Sequence, residues 1–320
     1  MRTLYIIGNG FDMAHGLNTS YWQFRTFLED HYPDYLEDFE KLYNIYPLDV
    51  SEPWITKSAI ELWEESVNHD LWSEFEKRMG EPNITEMESF SKSILDGMYL
   101  DGGNIGIRDT MDVYWKTQYG YIRKLQGYVR EWINCVDTSS VKPRKKDLVG
   151  SSDYFLNFNY TDTLERVYQA ENVLHIHGSV DWIGAGAPIM GHCNKKDIDR
   201  HKLFSKEAEE RFDEGEASIQ NAVAYYLESV YKDTDSLINL YDSFWAQLSD
   251  VIHVIIIGWS VGNVDLPYLR MIRDNVDKHT TWTVYYYDCK ARANISTVLR
   301  NEGIAKKFKV EYTQTDKYWD

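Results

Sequence analysis

Short apolar runs punctuate this chain, and stretches of helical periodicity fill the intervals between them. Thr3–Ile7, Tyr154–Phe158, Val173–Ile176, Val251–Ile257 and Thr281–Tyr287 are rich in β-branched and aromatic residues, the side chains that suit strands. The strongest is Val251-Ile-His-Val-Ile-Ile-Ile257. It is apolar on both faces, as a parallel strand covered by helices must be. Helical spacing follows Ser20, a good N-cap, in Tyr21, Phe24, Phe27 and Leu28. It recurs over residues 60–79 (Leu62, Trp63, Trp72, Phe75) and at Ile122, Leu125, Val129 and Trp132. A further charged helical region from Lys206 to Leu248 carries Ile219, Val223, Tyr226, Leu227 and Val230 as its apolar stripe.

A first strand, a long helical stretch and then the remaining strands predict an α/β fold: a doubly wound, mainly parallel Rossmann-like sheet with large helical insertions. The expected division is a sheet domain of residues 1–24 plus 150–320, a helical insertion or cap over 25–149, and a second helical insertion over 200–248.

Composition narrows the function. Asp and Glu outnumber Lys and Arg by 51 to 34, a net charge of −17. Such a surface repels phosphate backbones and argues against general nucleic-acid binding. The one basic run, Lys142-Pro-Arg-Lys-Lys146, reads as a solvated loop. Aromatic residues make up 15% of the chain, which implies thick helical packing. Cys135, Cys193 and Cys289 are widely spaced, so neither a disulfide framework nor a four-thiolate zinc ribbon is expected. No run has the length of a signal h-region or a membrane span, and a cytoplasmic protein is expected.

Candidate chemistry gathers where apolar runs end. Gly8-Asn-Gly-Phe-Asp-Met-Ala-His-Gly16 follows the first run with spacing G-x-G-x5-G, not the G-x-G-x-x-G of nicotinamide dehydrogenases. Its first glycines allow backbone N–H groups close to a phosphate. Asp12 suits a ribose hydroxyl, a water or a metal, or caps the next helix. After the second run, Asn159 can both donate and accept, as a ribose or a positioned water requires. Thr161, Asp162 and Thr163 are each able to cap the following helix. His175-Ile-His177-Gly178 places two imidazoles at i and i+2, on one face if the strand continues. Either histidine can move a proton near neutral pH. With His192 the pair also makes a possible metal set. Gly258-Trp-Ser-Val-Gly-Asn-Val-Asp265 closes the Val251 run with small residues and hydroxyls. Polar turns at the carboxyl ends of apolar strands are where open α/β sheets bind ligands, so these segments are expected to share one crevice.

Ile6–Gly16 with Thr19-Ser-Tyr21, Phe158–Glu165, His175–Gly178, and Ile257–Ser260 with Asp265 resemble, in order along the chain, the AbiH family of bacterial abortive-infection proteins. The same landmarks are similar, more distantly, to the sirtuin-like NAD-binding fold. Gly8, Gly10 and Gly16 match its first-turn glycines. Asn159 and His177 match its catalytic asparagine and histidine. Gly258 and Ser260 match its late Gly-x-Ser turn. Asp12 stands where that fold has a serine, and Thr161 where it has an aspartate. The absent zinc ribbon argues against protein deacylation.

The resemblance implies a phage-defence effector that binds and hydrolyses NAD or a related nucleotide. Asn159 and His177 would be catalytic, and Gly8, Asn9, Gly10, Phe11, Asp12, Gly16, Tyr160, Gly258, Ser260 and Asp265 would contact the nucleotide. A phage-derived trigger or self-association is the expected partner. Two other readings stay open: a metal-dependent hydrolase or nuclease using His175, His177, His192 and Asp12, and a nucleotide-sensing module without turnover.

Overall fold

The computed structural model describes residues 2–52, 54–101, 107–148, 153–180 and 186–319. The expected boundary at residues 149 and 150 lies outside them. Two compact units emerge: residues 1–24, 129–189 and 233–320 form one, and residues 25–128 and 190–232 the other.

The first unit is built on six strands: β1 (Arg2–Ile7), β2 (Tyr154–Asn157), β3 (Asn172–His175), β4 (Val251–Ile257), β5 (Thr281–Tyr286) and β6 (Lys309–Gln314). All neighbours pair in parallel in the order β3-β2-β1-β4-β5-β6. This is the doubly wound 3-2-1-4-5-6 arrangement, which reverses direction between β1 and β4. Alternate residues bury into two different apolar layers. Leu4, Ile6, Leu156, Val254 and Ile256 join one cluster with Tyr268, Trp282 and Leu299. Ile7, Phe155, Ile255 and Ile257 join a second with Phe11, Leu164 and Tyr168. A central strand covered on both faces is apolar at nearly every position, which is why Leu4–Ile7 of β1 and Val254–Ile257 of β4 read as continuous runs.

The apolar runs before β6 match strands to within two residues at each end. β6 carried no run. Its residues alternate between exposed and half-buried at the sheet edge, so Lys-Val-Glu-Tyr-Thr-Gln has little apolar signal to show.

In the second unit the periodic stretches are helices, broken more often than the pattern suggested. Residues 60–79 divide into Lys57–Asp70, a 3-10 turn Trp72–Glu74 and Phe75–Arg78. The charged region resolves into Lys195–Glu210 and Glu214–Ser229, and continues in the first unit as Thr234–Leu240 and Asp242–Gln247. Ile219, Val223, Tyr226, Leu227 and Val230 are all buried, as their spacing required. The aromatic load packs the helices: Trp72 stacks on Phe75, and Tyr32 on Tyr128. Buried Arg25 is held by Glu40, whose carboxylate also accepts from Trp72 Nε1.

The basic run is not simply solvated. Arg144 donates to the Ala14 carbonyl at 2.6 Å and its guanidinium lies 4.8 Å from the Trp319 ring centroid, while Lys145 lies over Tyr318. These contacts fasten the final helix, Asp316–Trp319, to the first turn. Arg144→Ala is expected to cost about 1 kcal/mol, read from the urea midpoint, since one charged hydrogen bond and one exposed cation–π contact are lost. An unchanged midpoint contradicts this fastening role.

Candidate functional site

Strand register brings the predicted segments to one rim. Ile7 pairs with Asn157 on one side and Ile257 on the other, and Asn157 pairs with His175. The chain therefore leaves β1, β2, β3 and β4 from a single row at the carboxyl ends of the strands.

The glycine turns meet each other there. Gly8 N–H donates to Ile257 O at 3.0 Å and Gly10 N–H to Gly258 O at 2.9 Å. A Cβ on Gly8 would fall 2.5 Å from Trp259 Cα, and one on Gly10 would fall 2.7 Å from Gly258 Cα. These glycines let two backbones touch, and their N–H groups are spent on β4 carbonyls instead of facing a phosphate. Gly16 is separate. It follows α1 (Asn9–Ala14) with φ +78, its N–H reaching Met13 O and that of Leu17 reaching Asp12 O. This is a Schellman helix ending, so Gly16, expected to contact the nucleotide, serves as a helix stop. Phe11 is fully buried in the apolar layer with Ile7 and Tyr168 and offers no surface to a ligand. Asn9 Oδ1 accepts from Thr19 Oγ1.

Asn159 joins the strand ends. Its Nδ2 donates to Gly8 O at 3.2 Å, and its backbone N–H to Asn157 Oδ1 at 3.0 Å. Tyr160 turns away, donating its hydroxyl to Ile189 O. Asp12 caps nothing, since it lies inside α1. Its Oδ2 accepts from Thr161 Oγ1 at 2.6 Å, and Thr161 Oγ1 lies 3.1 Å from Thr163 Oγ1. Nor do the residues after Asn159 cap by side chain. Asp162 is the N-cap residue without a side-chain cap bond, and it accepts from Thr138 and Arg166 instead.

Asp12 is 1% exposed, and its Oδ1 has no hydrogen-bond partner among the described residues. Burial pushes its carboxyl up to about 6, against the opposing pull of Thr161, Thr163, His175 and Asn159. A raised folded pKa stabilises only while the group is protonated, so this contribution is complete below about pH 4 and lost as pH rises through 6. Asp12→Asn keeps an acceptor for Thr161 and removes the titration. Its stability advantage over wild type is expected to grow by on the order of 2–3 kcal/mol between pH 4 and pH 7, measured by urea unfolding of both proteins. A pH-independent difference contradicts the buried-acid description.

The two histidines do not share a face, because β3 pairing stops at His175. His175 Nε2 lies 2.6 Å from Glu165 Oε1 and Nδ1 lies 3.1 Å from Asn159 O. His177, two residues on, packs edge-on against Phe158 and beside Tyr268, with Nε2 3.7 Å from Asp265 Oδ1. Trp259 Nε1 donates to Asp265 Oδ2 at 3.0 Å. Phe158, Trp259 and Tyr268 belong with the Leu4 layer, whereas Phe11 and Leu164 belong with the Ile7 layer. The rim thus has two polar sets, one centred on His177 and Asp265 and one on Asp12, Thr161, His175 and Glu165. Sequence reasoning missed Glu165 and Trp259. Glu165 lies within the quoted Phe158–Glu165 segment, but no spacing rule pairs it with His175.

Ser260 is exposed, next to Val261 at φ 54. A β-branched residue in the left-handed region costs on the order of 1–3 kcal/mol, strain that clusters at functional loops. His192 belongs to the second unit, where Nε2 approaches Leu227 O and Nδ1 accepts from Asn194 N–H. Among the described residues, no group of three or more His, Cys, Asp or Glu is placed to hold a metal. A cleft of about 400 Å³ in the second unit, lined by Arg123, Tyr225 and Glu228 among others, contains none of these rim residues.

Topology and rim together define the class, a doubly wound parallel α/β protein with polar turns gathered at the carboxyl ends of its central strands. The family described as Bacteriophage abortive infection AbiH matches residues 4–286. The chain belongs to the AbiH family, which indicates a role in phage abortive infection. No curated protein and no solved structure matches it. Among the described residues, no helix is long and apolar enough to cross a membrane.

Proposed function

We propose that this protein binds NAD or a related nucleotide at the rim formed by β1, β2, β3 and β4 and hydrolyses the bond between nicotinamide and ribose, depleting the infected cell. The observation that supports it most is Asn159, which ties the Gly8 turn to the end of β2 beside the point where the sheet changes direction. Ligands in open α/β sheets favour that place.

In the proposed reaction the C1′–N bond breaks and its electron pair leaves on the pyridine nitrogen. A water oxygen bonds C1′, and its proton passes to His177. Nicotinamide and ADP-ribose are the products. Asn159 holds the ribose or the water, Asp265 steadies the His177 imidazole, and Trp259 fixes Asp265. Gly8, Gly10 and Gly258 shape the turn and leave the diphosphate to neighbouring polar groups such as Ser260. These roles of Asn159 and His177 are the ones that the resemblance to sirtuin-like hydrolases implies.

The test is release of nicotinamide from NAD by purified protein, alone and with phage components. Turnover is expected in at least one condition. Nucleotide binding with no turnover in any condition contradicts hydrolysis and leaves a sensing role.

A further inference from the structure

His175 and Glu165 are absent from the proposed chemistry, yet both are buried. Their side chains are 0% and 3% exposed. The Asn159 carbonyl can only accept, so the tautomer with hydrogen on His175 Nδ1 satisfies this 3.1 Å contact, which is shorter than the 3.5 Å from Nδ1 to Asn157 Nδ2. Nε2 and Glu165 Oε1, 2.6 Å apart, share another hydrogen. Both ring nitrogens are thereby engaged, which leaves no lone pair for a metal. On the other side of the peptide, the Asn159 N–H is held by Asn157 Oδ1, and its side-chain Nδ2 by Gly8 O.

We propose that Glu165 and His175 form a sealed pair that positions Asn159, with His175 clamping the Asn159 carbonyl and Glu165 fixing the imidazole ring. This inference rests on the catalytic reading of Asn159 for its functional consequence, but its structural content stands alone. Both are positioning residues, since neither meets the substrate. With Nδ2 committed to Gly8 O, a clamped Asn159 presents its Oδ1 in one fixed direction.

Two substitutions separate clamping from mere filling of space. In His175→Asn the amide nitrogen overlays Nδ1 and still donates to the Asn159 carbonyl. In His175→Gln it overlays Nε2, closer in size to histidine, and reaches only Glu165. Two readouts apply: kcat and KM for nicotinamide release, and the Asn159 side-chain amide resonances in 15N-labelled protein. His175→Asn is expected to keep kcat within about fivefold and leave the Asn159 signals in place. His175→Gln is expected to lower kcat at least tenfold at a KM within about threefold, and to shift those signals, since a misplacement of ~1 Å can cost ~10²-fold. Equal behaviour of the two variants, or the reverse order, overturns the proposal. If wild type releases no nicotinamide, the hydrolase reading fails, and the Asn159 resonances alone decide the positioning role. Should a His175 variant not fold, Glu165→Gln against Glu165→Ala repeats the contrast. The glutamine keeps a hydrogen-bonding partner for Nε2 and is expected to preserve the Asn159 signals, and the alanine to shift them. Identical signals in those two overturn the proposal.

Discussion

Gly258→Ala is expected to destabilise the protein by about 2–5 kcal/mol. Two costs add. Alanine at φ +65 enters the left-handed region, which costs ~1–2 kcal/mol. The new Cβ would also stand 2.4 Å from Phe11 N and 2.6 Å from Gly10 C, both backbone atoms that cannot rotate away. Overpacking of that kind costs ~1–3 kcal/mol. Relief requires the β4 turn to move from the β1 turn, which breaks the Gly10 N–H to Gly258 O bond and disturbs Gly8 O, the acceptor for Asn159. Gly16→Ala supplies the control. Its φ is +78 but nothing lies within 4 Å of the added carbon, so only the backbone cost of ~1–2 kcal/mol applies. Urea unfolding of both variants checks the comparison. Equal losses would show that the close contact between the turns contributes nothing.

The second large effect concerns the rim side chains. On the proposed mechanism His177→Ala removes the proton acceptor and is expected to lower nicotinamide release by ~10²–10⁴-fold, the usual range for a general base. Asp265→Asn keeps an acceptor for Trp259 and removes the charge 3.7 Å from Nε2, and a smaller loss is expected, on the order of 10-fold. Asn159→Ala is expected to match His177→Ala in kcat. It also removes one of the two donors to Gly8 O, leaving the Phe11 N–H in place, a stability cost of at most ~1 kcal/mol. Wild-type kcat in the histidine variant, with its fold intact, contradicts the base assignment. Ser260→Ala, at an exposed position beside a strained valine, is expected to raise KM while leaving kcat nearly unchanged.

Much of the sheet was legible because burial on both faces leaves a nearly continuous apolar run, as in Val254–Ile257 of β4. The edge strand β6 was not, since none of its residues is fully buried and only Val310 and Tyr312 of its six are apolar. The rim was legible as a set of segments, because parallel strands of similar length end in register and their following turns must adjoin. What each residue does there was less visible. The glycines read as a phosphate cradle, whereas the real constraint at Gly8 and Gly10 comes from Gly258 and Trp259, some 250 positions later. The His175–His177 spacing read as a shared face, but the strand ends between them. Phe11 sits in a polar motif yet serves the core, its place fixed by the Tyr168 and Trp319 rings. The Asp12–Thr161 and His175–Glu165 bonds are tertiary, and no local pattern announces them.

Soaking crystals with ADP-ribose addresses most directly the claim that this strand rim is a nucleotide site. The account predicts density along the ends of β1, β2 and β4, with the ribose within hydrogen-bond reach of Asn159 and one edge facing His177. Saturating ADP-ribose found only elsewhere, for example in the cleft beside Arg123 and Tyr225, would contradict it.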